Sequence, residues 1–253
     1  MAGGDETSFH EKLKSEPDFT HRNEYFKTLI GTFHVGLANM REMPQPIIGK
    51  IRGAVAGAGV SLALACDLTL ASEDAFFNLA YCHIGTSPDG GSSYSLPRTT
   101  SMKRAMEIAL LGDRFNANTA MEYGLVNWVV PGDNLDTEVD QLAERLAVGP
   151  SHAHAHTKKL LNQSLHSTLE EQLKAEQKAF ADCSTTDDFA EGVAAFVEKR
   201  LVTRHIQLAL FADISSRSNK YLGIEHDVVF FFTDSRCQID VELFGDVNQP
   251  LDT

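Results

Sequence analysis

Apolar residues set the first element of the chain. From His21 to Met40, Phe26, Leu29, Ile30, Phe33, Leu37 and Met40 recur at steps of three and four, which predicts a helix with one buried face, ended by Pro44 and Pro46. The period then shortens. Ile47–Arg52 reads as a strand, Gly53–Gly59 as a small-residue turn, Val60–Cys66 as an apolar helix, Leu68–Ala71 as a second strand and Ala75–Tyr81 as a third. Ile84–Ser93 is dense in turn formers and reads as a loop with Asp89 at its centre. Ser101 can cap a helix through Leu111 with Met102, Ala105, Met106 and Ala109 inward. Asn116 or Asn118 can cap another that Gly124 closes before a strand over Leu125–Val130. Helical patterns fill Leu135–Val148, His152–Leu165, Thr168–Phe180 and the stretch from Thr185 to Arg200, whose apolar stripe is Phe189, Val193, Phe196 and Val197. Beyond Arg200 the helical period is lost, and Val228–Thr233 is β-prone.

Strands alternating with helices point to an α/β architecture. The chain has 253 residues, 43% of them hydrophobic and 23% charged, enough for a substantial core in one large domain. Its formal net charge of -13 argues against a nucleic-acid groove and leaves small molecules and other subunits as the expected partners. No apolar run approaches the roughly 20 residues of a membrane span, so no membrane partner is expected. Cys66, Cys82, Cys183 and Cys237 are scattered without a Cys-x-x-Cys pair, which suggests neither a zinc site nor a disulfide framework, and a reducing, intracellular compartment is the default. His152 and His156 share a helix face, but no carboxylate or cysteine nearby completes a ligand set, so a solvated face is expected and no metal. Lys158 and Lys159 are expected to face water on the same helix.

Two stretches carry candidate chemistry. In Gly53-Ala-Val-Ala-Gly-Ala-Gly59, a strand, a glycine turn and a helix start would aim backbone N–H groups at something negative, since the first N–H groups of a helix lack internal acceptors. A tight turn with nothing bound would look the same. Asp89 stands in Ser87-Pro-Asp-Gly-Gly91, where a turn aspartate bonded to its own backbone is the plain reading.

The collinear series Ala2-Gly-Gly-Asp5, Pro46-Ile-Ile-Gly-Lys-Ile-Arg-Gly-Ala-Val-Ala-Gly-Ala-Gly59, Ala65-Cys-Asp67, Ser-Pro-Asp-Gly-Gly with Leu96-Pro-Arg98, and Ala120-Met-Glu-Tyr-Gly-Leu-Val126 resembles the crotonase (enoyl-CoA hydratase/isomerase) superfamily. The resemblance covers residues 1–200. It implies a core of repeated ββα units, with 135–200 as the helical C-terminal region that builds trimers, often paired into hexamers, and with the family's first strands missing ahead of residue 1. Residues 201–253 are an unrecognised extension. The substrate implied is an acyl-CoA thioester, and no cofactor is implied beyond the CoA that the substrate itself carries. The thioester oxygen would sit between two backbone N–H donors, by position Ala2 and Ala58, with Ala56, Gly57, Gly59 and Tyr81 lining the bound acyl group.

The family's hydratases use two glutamates, and the matching positions here are Ser61 and Tyr81. Neither is a carboxylate, and both are expected to be space-filling: a helix-turn hydroxyl and a strand aromatic. Asp89 falls where isomerase and dehalogenase branches place their acidic residue, and Ser87, Ser92 and Ser93 are at hand to position it. The resemblance thus implies an isomerase that shifts a 3-enoyl-CoA to a 2-enoyl-CoA with one acid/base. Hydration, aromatic acyl-CoA dehalogenation and a non-catalytic fragment acting through subunit assembly are the alternatives.

Overall fold

The computed structural model describes residues 5–203, together with the backbone of 229–233 and 238–242. Two helices open it, α1 (Glu6–Ser15) and α2 (Phe19–Glu42). Each is capped by an aspartate whose side chain accepts two backbone N–H groups: Asp5 from Thr7 and Ser8, Asp18 from Thr20 and His21. Asp5, expected inside a thioester-binding motif, here caps α1, and Ala2 lies outside the described residues.

The centre is built by strand pairs that each give one strand to each of two sheets. β1 (Ile48–Ile51) and β2 (Ala54–Ala56) are separated by Gly53 at φ +57, a left-handed turn that sends them into different sheets. After α3 (Ala58–Ala65), β3 (Leu68–Ser72) joins β1 in parallel and β4 (Phe76–Asn78) joins β2 in parallel. β5 (Phe115–Asn116) then pairs antiparallel with β4, and β6 (Trp128–Val130) pairs parallel with β3. The sheets are thus β1-β3-β6 and β2-β4-β5, the repeated ββα organisation that the resemblance implies. β2 falls inside the stretch read as pure turn, and its three small residues give too short a signal to show in the sequence.

Between β4 and the next strand run a 3-10 helix (Ala80–Ile84), α4 (Ser92–Thr99), α5 (Met102–Leu111) and, after β5, α6 (Ala117–Glu122). Ser101 and Asn116 cap α5 and α6 as expected. Tyr81 is therefore on a 3-10 turn rather than in a strand, and the loop read over Ile84–Ser93 ends two residues early because α4 begins at Ser92. Helices α7 (Leu135–Ala147), α8 (Ser151–Ser164), α9 (Leu169–Cys183) and α10 (Asp187–Glu198) complete the described chain up to Thr203. Thr168 and Glu171 form a reciprocal capping box at α9.

The main core gathers Val55, Val60, Phe77, Leu79, Leu96 and Ile108 between the second sheet, α3, α4 and α5, each such side chain contributing roughly 1.5–3 kcal/mol on burial. A second cluster, Ile48, Leu70, Leu135 and Val139, seats α7 on the first sheet, and Leu37, Met40 and Ile47 seat α2. Three expectations about faces change. On α5, Ala105 and Ile108 point inward while Met102 and Met106 are exposed. The stripe on α10 is left open, with Phe196 86% exposed. Lys158, expected in water, is buried. The β-prone run forms β7 (Val229–Thr233), paired antiparallel with β8 (Gln238–Glu242), and the rest of the 201–253 extension past Thr203 lies outside the described residues. Among the described residues no helix is long and apolar enough to cross a membrane.

Candidate functional site

Gly57 caps α3 at φ +50 and ψ -121, a conformation that an L side chain rarely adopts, so the sequence places glycine where the backbone must swing from β2 into the helix. The N–H of Gly57 donates to the Asn78 carbonyl on β4 at 2.9 Å, and that of Val60 to the Gly57 carbonyl at 3.0 Å. The N–H groups of Ala58 and Gly59 precede any i−4 acceptor in the helix and stand at its positive end. Ala56, Gly57 and Ala58 are half-buried and Gly59 is buried.

Asp89 comes to this helix through Ser61, one turn below Ala58. The Ser61 hydroxyl donates to the Asp89 carbonyl at 2.9 Å, and the Ser92 hydroxyl donates to the same oxygen at 2.9 Å. Both serines are buried. Gly90, at φ +60, passes so close to α3 that a Cβ there would stand 2.6 Å from Ser61 Cβ and 2.7 Å from Phe33 Cε1. Its N–H donates to Nε2 of His34 on α2 at 3.1 Å, a contact for which the sequence holds no signal. Asp89 is not a turn aspartate bonded to its own backbone. Its half-buried carboxylate accepts the Tyr81 hydroxyl at Oδ1, 2.5 Å away.

Tyr81 and Ser61 are therefore not space fillers. The phenol is buried, and that burial, followed by the hydrogen bond and negative charge of Asp89, pushes its pKa well above the ordinary tyrosine value. Tyr81 accordingly stays protonated and donating at neutral pH. Ser61, Tyr81, Asp89 and Ser92 form one connected group beside the start of α3. Ser92 is the one of the three neighbouring serines with a hydroxyl bond to Asp89 among the described residues.

The remaining candidates lie elsewhere. His152, His154 and His156 are on α8, and among the described residues no three His, Cys, Asp or Glu side chains are close enough to hold a metal. Lys158 on the same helix is held by Asp67 and two carbonyls and does not reach the site.

Comparison with known proteins extends the sequence resemblance. The family model for enoyl-CoA hydratase/isomerase matches residues 17–203. The chain is similar to 1,2-epoxyphenylacetyl-CoA isomerase of Escherichia coli, 36% identical over 161 residues that cover 64% of this chain and 62% of that protein. It is similar also to the mitochondrial enoyl-CoA hydratase of Pongo abelii, 37% identical over 162 residues that cover 64% of this chain and 56% of that one. The crystal structure of an enoyl-CoA hydratase from a Polaromonas species superimposes with a TM-score of 0.74 at 34% identity, covering 81% of this chain and 77% of the other. The first curated relatives are thus matched over about three fifths of their own length. The shared fold and the residues matched from α2 to the end of α10 show that the chain belongs to the enoyl-CoA hydratase/isomerase family.

Proposed function

We propose that the chain is an acyl-CoA isomerase that moves a double bond from the 3,4 to the 2,3 position of an enoyl-CoA. The observation that carries this reading is the carboxylate of Asp89, tied through Ser61 to the helix whose opening N–H groups lack an acceptor within the helix. A hydrogen bond from the Ala58 N–H polarises the thioester carbonyl and acidifies C2. Asp89 takes the C2 proton, the electron pair spreads over a dienolate whose oxygen the N–H holds, and the same carboxyl returns the proton to C4. One acid/base serves both steps. Ala2 would supply a second N–H to the same oxygen, while Ala56, Gly57, Gly59 and the Tyr81 ring would flank the acyl group.

Hydration of a 2,3-double bond by the two-glutamate route has no carboxylates at Ser61 and Tyr81 to use. Relatives carry both kinds of name, among them the trans-2-decenoyl-[acyl-carrier-protein] isomerase of Streptococcus mutans and the hydratase of Pongo abelii. The open apolar side chains of the C-terminal helices, Phe180, Phe196 and Val197, support assembly with further copies as a homotrimer or hexamer. A monomer at micromolar concentration would remove that part of the reading.

The test is turnover of a 3-enoyl-CoA followed by the absorbance of the conjugated thioester. Wild type is expected to be active, and Asp89→Ala to lose about 10²–10⁴-fold in rate with its fold retained. Equal activity in Asp89→Ala removes the site assignment. Consumption of 2-enoyl-CoA to a hydroxyacyl-CoA without isomerisation makes the chain a hydratase, and no reaction with either substrate leaves assembly as its role.

A further inference from the structure

The proposed reaction asks one carboxylate to serve two carbons, and the geometry around Asp89 bears on how. Its backbone carbonyl is fixed by the buried hydroxyls of Ser61 and Ser92, and its Oδ1 by the buried hydroxyl of Tyr81. Among the described residues Oδ2 has no donor. The Ser61 hydroxyl and the Tyr81 phenol thus meet on the same residue, one at its backbone carbonyl and the other at its carboxylate. We infer that Tyr81 and Ser61 are positioning residues for Asp89, holding the carboxylate by Oδ1 and by its own backbone so that Oδ2 alone handles the proton and delivers it from C2 to C4 of the same substrate molecule.

The inference rests on the isomerase reading and deepens it. In the first step the C2–H bond breaks, an Oδ2–H bond forms and the electron pair passes into the dienolate. In the second the Oδ2–H bond breaks and a C4–H bond forms, with nothing oxidised or reduced. Tyr81 remains a donor throughout, because Oδ1 accepts its hydrogen bond whether or not Oδ2 carries the proton. A carboxylate held at one oxygen presents the other at a fixed height over the acyl chain. A carboxylate free to rotate exchanges its proton with solvent between the two steps.

The readout is transfer of deuterium from C2 to C4 in a 3-enoyl-CoA labelled at C2. Wild type is expected to retain part of the label at C4. Tyr81→Phe, which keeps the ring and removes only the hydroxyl, is expected to lose most of that retention and about tenfold in kcat while KM stays within about twofold. Ser61→Ala is expected to show the same signature more weakly, and serves if Tyr81→Phe folds poorly. Unchanged kcat and retention in both variants, with wild type active, overturn this inference alone. So does a loss of activity with retention unchanged, since that reports damage to the fold rather than a displaced carboxylate. A wild type that neither isomerises the substrate nor exchanges its C2 proton overturns the isomerase reading and this inference with it.

Discussion

The Lys158 ammonium, in the middle of α8, lies 2.7 Å from Asp67 Oδ2 in the turn between α3 and β3, and donates to the carbonyls of Met40 at 2.8 Å and Gln45 at 3.0 Å. The same Asp67 oxygen accepts the N–H of Ile47 at 2.8 Å, where the chain enters β1. One buried cation thus joins the end of α2, the start of the first sheet and the exit of the helix that opens at Ala58. Lys158→Ala leaves two carbonyls short of a donor and a carboxylate short of its partner. Because Asp67 is partly open to water, the expected loss is about 2 kcal/mol rather than the larger penalty of a fully buried pair. Urea unfolding checks it, and a change within error would mean that water replaces the ammonium without cost. Asp67→Asn, which retains an acceptor for Ile47, is expected to cost less.

Gly90 fixes the approach of the Asp89 loop to α3. An alanine there would need a left-handed backbone and would drive its methyl into Ser61 and Phe33, both on helices that cannot easily retreat. The expected cost of Gly90→Ala is about 2–3 kcal/mol, the sum of backbone strain and overpacking. If the loop instead swings outward to make room, stability falls less and activity falls more, because Asp89 leaves Tyr81. A thermal melt and a turnover assay on the same sample separate the two, and a variant normal in both would contradict the close contact.

What the sequence showed of this site was its covalent order, not its connections. Helices with recognisable caps, such as those starting after Ser101 and Asn116, were legible because capping chemistry is local. The small-residue run at Gly53–Gly59 was legible as a helix entrance for the same reason. Helix α4 was not: Gly90, Gly91, Ser92 and Ser93 read as loop, although the helix begins at Ser92 and sets Leu96 in the core. The contacts of Ser61 and Tyr81 with Asp89 were not legible either, since a hydroxyl 28 residues from its acceptor, as for Ser61, leaves no spacing to read. Lys158 was misjudged because its partners are more than 110 residues away along the chain for Met40 and Gln45, and burial of a lysine follows from their convergence rather than from any pattern on α8.

Asp136, in the first turn of α7, joins that helix to the first sheet by accepting from Arg52 at 2.7 Å and standing 3.1 Å from Lys50, both on or beside β1. Hydrogen bonds from Lys50 and then Arg52, with the added attraction of their charges, hold its carboxyl below the ordinary aspartate value. A group whose pKa is lower in the folded than in the unfolded chain binds more protons when unfolded, so its stabilisation is fully present above the unfolded value of 3.8 and is lost as pH falls through the folded one. Wild type is therefore expected to be more stable than Asp136→Asn near neutral pH, with the difference shrinking below about pH 4 and vanishing under stronger acid. Since all three side chains reach solvent, added salt should narrow the gap at neutral pH as well. Unfolding midpoints for the two proteins across pH and salt check this. A difference that persists unchanged into strong acid would separate the effect of the substitution from the ion pairs that bind α7 to β1.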